Sequence, residues 1–303
     1  MLRHRWFLGS RACGRASTLR SRAGTAASTL ALSLALCAVG CTHVTSGKPT
    51  IEASPTSPKA GNEISTRDVS YEAGDTHLKG FLASPVSGDK HPGVLIAPEW
   101  WGLSDHARDV ARKLAESGYV ALALDMYGDA KVSEHPADAK AWMMELMQNP
   151  EQGVKRFEAG KDALLSDSHV DPQRIAAIGY CMGGAIVLQA ARRGDPFKAI
   201  ASLHGNYATQ TPLVKGEFPG KIFIAHGEAD SMSTNESLAV LKQELDAASA
   251  NYEIVSYPGA KHGFTNPKAT ELGQKNGLDL AYDPAADAQS WAKLQEVLAA
   301  AFK

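Results

Sequence analysis

The run Ile175-Ala176-Ala177-Ile178-Gly179-Tyr180-Cys181-Met182-Gly183-Gly184-Ala185-Ile186-Val187 joins an apolar segment of strand length to an apolar helical segment through a cysteine flanked by glycines. This is the G-x-S-x-G nucleophile elbow with cysteine in place of serine. The turn holds its central residue in a strained conformation, so the positions two residues to either side must be small for strand and helix to approach. Gly179 and Gly183 meet that need. A cysteine at the first turn of a helix also sits at the positive end of the helix dipole, which favours the thiolate that attacks carbonyls. Packing where strand meets helix is the alternative role for Cys181, and the flanking glycines argue against it.

Outward from the elbow, strand-like and helical stretches alternate, the mark of a mostly parallel sheet with helices on both faces. Tyr71-Glu72-Ala73 and His77 to Ser84 form an expected hairpin about Gly74-Asp75. Strands are expected at Gly93 to Ala97, Tyr119 to Leu124, Ile175 to Gly179, Ala199 to Leu203, Ile222 to Ala225 and Tyr252 to Tyr257. Ser104 or Asp105 can cap the helix after the first of these. Further helices are expected over 137–147, 151–165, 182–193, 234–248 and 284–302, and neither a repeat nor a second core is visible.

In this architecture the sites lie in loops at the carboxyl ends of strands, and the triad partners of an elbow nucleophile follow it in the order acid, histidine. His226-Gly227-Glu228-Ala229-Asp230 and Pro258-Gly259-Ala260-Lys261-His262 each follow an expected strand. Asp230 and His262 are therefore the candidate acid and base for Cys181. Glu228 is the competing carboxylate, and His204 and His226 are the competing bases. The oxyanion formed by attack needs backbone donors, expected from Met182 N–H and from Trp100 N–H in Pro98-Glu99-Trp100-Trp101-Gly102. The two tryptophans either wall a pocket or fill core.

The chain has 303 residues, 44% of them hydrophobic, and 31 basic residues against 33 acidic, a formal charge of −2. That suits one large domain and gives no positive field to attract nucleic acid. Residues 1–41 differ from the rest: six arginines, no acid, then the apolar run Leu30 to Gly40, too short to span a bilayer and suited to an export signal. Ala38-Val39-Gly40-Cys41 resembles the bacterial lipoprotein processing site, which implies lipidation of Cys41, the only expected membrane association; an ordinary cleaved signal releasing a soluble periplasmic protein is the alternative. Residues 42–66, rich in Ser, Thr, Pro and Gly, read as a flexible tether, and residues 67–303 as the domain. Of the four cysteines, at 13, 37, 41 and 181, only Cys181 lies in that domain.

As a set, Pro98-Glu99-Trp100-Trp101-Gly102, Asp125-Met126-Tyr127, Gly179 to Gly184, His226-Gly227 with Asp230, and His262-Gly263-Phe264 resemble the dienelactone hydrolase family from about Ser70 onward. The resemblance implies an α/β-hydrolase fold, a Cys181-Asp230-His262 triad, a hydrogen bond from the resting thiol to Glu99, and no cofactor or metal. Trp101, Tyr127, Asp129, His204, Phe264 and Asn266 then become candidate pocket residues. Asp129 and Asn266 stand where the dienelactone-cleaving members carry arginines that grip a carboxylate, and Lys131 is the nearest cation. A neutral or differently charged ester or lactone is the expected substrate, since a bidentate guanidinium pair is lost. Two readings compete with hydrolysis: an envelope lipoprotein that keeps the fold only for binding, and a metal site from Cys181, His204, His226 and His262, whose wide spacing lacks the short pairs usual in zinc sites.

Overall fold

The computed structural model describes residues 62–303, apart from 87 and 89. The expected export signal, the lipidated Cys41 and nearly all of the expected tether lie outside the described residues. The chain runs β1 (Ile64–Ala73), β2 (Thr76–Pro85), β3 (His91–Ala97), α1 (Asp105–Glu116), β4 (Val120–Ala123), α2 (Pro136–Gln148), α3 (Pro150–Leu165), β5 (Val170–Tyr180), α4 (Met182–Arg192), β6 (Ala199–Leu203), β7 (Lys221–Gly227), α5 (Asn235–Ala247), β8 (Asn251–Tyr257), α6 (Ala269–Asn276) and α7 (Pro284–Ala301).

The eight strands form one sheet in the order β1-β2-β4-β3-β5-β6-β7-β8, in which β2 pairs antiparallel with both β1 and β4 and β3 to β8 are mutually parallel, so β2 alone runs against the other strands. This is the α/β-hydrolase architecture expected from the alternation of apolar runs. The central strands are hydrophobic on both faces because each face is covered by helices. Leu95, Ala177 and Ile224 point to the layer of α3, α4 and α5, where they meet Phe157, Leu188 and Leu241. Their neighbours Val94, Ile178 and Phe223 point to the layer of α1 and α7, where they meet Val110, Leu114 and Leu294.

Three local expectations are corrected. Ile64, Ser65 and Thr66, read as tether, belong to β1, which pairs with β2 along its whole length. Most of their side chains are exposed, so the strand is made by backbone pairing and left no apolar signature. Ser104 occupies the N-cap of α1 but its hydroxyl makes no capping bond, whereas Asp283 caps α7 by accepting from the amides of Ala285 and Ala286 at 2.9 and 3.0 Å. The short helix α6 was not expected; it ends at Gly277, whose φ of 65° is the left-handed conformation that terminates helices.

Candidate active site

β5 delivers Cys181 to the carboxyl edge of the sheet, and the chain reverses there into α4. Cys181 has φ 53° and ψ −117°, a strained conformation for a residue with a side chain. The strain is held by packing on both sides. A Cβ at Gly179 would overlap the backbone of Gly183, and one at Gly183 would overlap the carbonyl of Ala97. The Cys181 amide is also tied to the carbonyl of Leu203 in β6, at 3.1 Å.

Asp230 follows β7 and His262 follows β8, so parallel pairing brings both loops beside the elbow. His262 Nδ1 lies 2.8 Å from Asp230 Oδ2, and both residues are buried, 5% and 3% exposed. The other oxygen of Asp230 accepts from the amides of Met232 and Ser233 at 2.8 and 2.9 Å, which fixes the carboxylate. His262 Nε2 has no hydrogen-bond partner of good geometry among the described residues. Burial disfavours the imidazolium of His262, but its interactions with the Cys181 sulfur and with the bonded carboxylate of Asp230 outweigh it and carry the pKa well above the ordinary histidine range.

The amides of Met182 and Trp100 are taken by no acceptor among the described residues. Between these two residues stands Tyr127, whose hydroxyl lies 3.0 Å from the Trp100 carbonyl and 3.1 Å from the Met182 sulfur. Burial, and then the nearby charge of Cys181, push its pKa far up, so it remains a donor. The Trp100 and Trp101 rings lie 4.7 Å apart, and Trp101 is buried against Ala139 and Leu272.

Two of the expected pocket residues lie beneath the surface of the site. His204 and Phe264 are fully buried, packed behind His262. His204 Nε2 pairs with Thr265 Oγ1 at 2.8 Å, and its ring meets those of His262 and Phe264 edge to face, both at 5.3 Å. Burial first, then the charges of His262 and His106, push the His204 pKa well below the ordinary value, so its ring stays neutral. His226 is spent on Tyr207 and Asn235, at 3.1 and 2.9 Å. Among the described residues no three His, Cys, Asp or Glu side chains are grouped to hold a metal ion.

Glu99 also departs from expectation. Its Oε2 accepts from Asn266 Nδ2 at 2.6 Å and lies 3.4 Å from His106 Nδ1; among the described residues none of its hydrogen bonds goes to the thiol. A buried carboxylate needs strong donors, and an amide and an imidazole serve better than a weak S–H. Asn266 is thereby committed to Glu99 and, through its oxygen, to the Lys268 amide. Asp129 and Lys131 are exposed on the loop after β4.

Two residues that the sequence reading left without a role organise this site. Asp125, 1% exposed, accepts from the amides of Tyr127, Gly128, Ala130 and Lys79 at 2.9, 2.8, 2.7 and 3.1 Å, which explains the Asp-x-Tyr pattern as a loop built on one carboxylate. His106, on the inner side of α1, had no sequence signal, because its partner Glu99 is defined only by the fold. A recess of about 270 Å³ lies between Trp101, His106, Asn266 and Lys268. A larger one, about 600 Å³, is lined by Lys221, Asn251 and Glu296 at the amino ends of the strands, the edge opposite Cys181 and His262.

The dienelactone hydrolase family profile matches residues 78–302. Protein usf of Aquifex pyrophilus is 25% identical over 228 residues, covering 74% of this chain and 93% of its own length. A Salmonella typhimurium protein provisionally named carboxymethylenebutenolidase is 28% identical over 254 residues, covering 77% and 94%. Among solved structures, m3DLH is 32% identical with a TM-score of 0.74, covering 79% of this chain and 99% of its own. The dienelactone hydrolase-like promiscuous phosphotriesterase P91 from metagenomic libraries is 31% identical with a TM-score of 0.73 and the same coverage. With the family profile spanning the sheet from β2 to the last helix, and with an elbow cysteine beside a bonded Asp-His pair, the chain belongs to the dienelactone hydrolase family of α/β hydrolases.

Proposed function

We infer that this protein hydrolyses a small carboxylic ester or lactone through a thioacyl intermediate on Cys181. The observation that carries the reading is the strained elbow conformation of Cys181 in the same site as an imidazole whose far nitrogen is held by Asp230. His262 takes the thiol proton, and the sulfur adds to the carbonyl carbon while the carbonyl electron pair moves onto oxygen. The amides of Met182 and Trp100 stabilise that oxyanion. The tetrahedral adduct expels the alkoxide, which leaves with the proton from His262. Water then gives a proton to His262 and attacks the thioester, and the second tetrahedral adduct collapses to release the carboxylic acid while the departing sulfur takes the proton back from His262, regenerating the enzyme. Asp230 holds the tautomer and orientation of His262 throughout.

The substrate class follows from charge. With Asp129 exposed on the pocket-side loop and Asn266 engaged by Glu99, no guanidinium stands ready for a substrate carboxylate at these two positions. A neutral ester or lactone is therefore preferred, and comparing kcat/KM on matched neutral and carboxylated esters tests this; strong preference for the carboxylated one overturns it. The nucleophile is tested by mass spectrometry after brief incubation with p-nitrophenyl acetate. An acetyl group on Cys181, and loss of esterase activity in Cys181→Ala, are expected; full activity in that variant overturns the assignment and favours a binding role. The same spectrum of protein recovered from cells tests the further proposal that the chain is exported to the bacterial cell envelope and starts at a lipidated Cys41.

A further inference from the structure

We propose that Tyr127 is a positioning residue for the oxyanion site, joining through one hydroxyl the two residues whose amides receive the developing charge. This rests on the reading above, in which Cys181 attacks and the Met182 and Trp100 amides are the donors. The two donors come from opposite sides of the site. Met182 opens α4, directly after the nucleophile, while Trp100 lies in the loop after β3, and no hydrogen bond between them is present among the described residues. An oxyanion site of this kind works only when both N–H groups are held at the spacing of the transition-state oxygen before the reaction begins.

Tyr127 supplies the missing connection. Its hydroxyl donates to the Trp100 carbonyl at 3.0 Å, which fixes the backbone of the loop residue, and it touches the Met182 sulfur at 3.1 Å, which fixes the side chain of the helix residue. A carbonyl oxygen is the better acceptor, so the single proton goes to Trp100 and the sulfur contact adds packing. The tyrosine is itself rigid: it is 5% exposed, its ring lies 5.5 Å from that of Trp142, and its amide is held by the Asp125 carboxylate at 2.9 Å. The loop around it is closed by three further amides on the same carboxylate and by Arg156, which donates to the Met126 carbonyl at 2.8 Å. Rigidity in the 125–130 loop is thereby transmitted to both oxyanion donors.

The test is Tyr127→Phe, assayed on a p-nitrophenyl ester and on its thionoester, in which sulfur replaces the carbonyl oxygen. A sulfur anion accepts hydrogen bonds poorly, so the thionoester draws little from the oxyanion donors. The oxo-to-thiono ratio of kcat/KM is independent of how much of the variant is folded, because both substrates report on the same active molecules. The expected result is a fall of about tenfold in kcat for the oxoester, of the size that misplaced catalytic groups produce, with KM within about twofold and a matching fall in the ratio. Met182→Leu should lower the ratio less, and adding it to Tyr127→Phe should lower it little further, since both changes break one link. A ratio in Tyr127→Phe equal to that of the wild type overturns the proposal, whether or not overall activity falls. Full activity in Cys181→Ala overturns this proposal together with the reading beneath it, whereas an inactive Cys181→Ala with an unchanged ratio in Tyr127→Phe overturns this one alone.

Discussion

The imidazoles of His204 and His262 meet edge to face with centroids 5.3 Å apart, yet the fold drives their proton affinities in opposite directions. Both are buried, which disfavours the charged form of each. His262 also faces the Cys181 sulfur, whose negative charge favours the imidazolium, and a bonded carboxylate, whereas His204 faces the charges of His262 and His106 and a neutral threonine. A neutral ring therefore lies behind the proposed base.

Their contributions to stability fall in different pH windows. For His262 the folded pKa is raised, so its contribution is present below the unfolded value of about 6.5 and is lost as pH rises through the folded pKa. For His204 the folded pKa is depressed, so the unfolded chain takes up a proton that the folded protein refuses, and stability falls as pH drops below about 6.5. Melting temperatures from pH 5 to 10 should show that His204→Phe flattens the acid side of the profile and His262→Gln the alkaline side. Identical profiles in both variants would contradict these assignments.

Asp230→Asn removes the charge and offers His262 Nδ1 an amide whose donor side competes with the ring N–H. Esterase kcat/KM should fall roughly 10²- to 10⁴-fold, as expected for loss of the general base in its working tautomer. Glu228 is exposed in the same loop, and Glu228→Gln should stay within about twofold of the wild type. The reverse ranking would move the acid to Glu228.

Gly183→Ala tests the close approach at the elbow. The added methyl meets the backbone carbonyl of Ala97, which cannot rotate aside, so strand and helix must separate. Urea denaturation should show a loss of about 1–3 kcal/mol, the usual cost of overpacking, and activity should fall because Cys181 moves with α4.

Arg192 and Glu244 form a buried pair away from the site, with two bonds of 2.8 Å between α4 and α5, and Glu244 also accepts from the Leu213 amide. Glu244→Ala leaves the guanidinium buried without its partner and should cost about 3–5 kcal/mol in denaturant titration. The double replacement Arg192→Met with Glu244→Leu should recover most of that loss, since no charge is then stranded.

Much of the fold was legible because its signals are local. Ile175 to Gly179 and Ile222 to Ala225 are apolar throughout, as strands covered on both faces must be, and the hairpin at Gly74-Asp75 is a two-residue turn with a glycine at φ 62°. The first residues of β1 were not legible, because an exposed edge strand takes its structure from the partner strand. Nor was the burial of His204 and Phe264, since the sequence places both in loops near the site without saying which side of His262 they occupy.

What the sequence alone determined is the elbow: two glycines, a cysteine and the apolar runs on either side specify a strand-turn-helix through contacts only a few residues apart. The tertiary structure decided everything that joins distant segments. It set the Asp230 and His262 carboxylate-imidazole bond across 32 positions, the Asn266 and Glu99 bond across 167, and the Tyr127 hydroxyl between Trp100 and Met182. Those meetings depend on strand order and on loop paths over the sheet edge, which the pairing of eight strands settles and no short stretch of chain encodes.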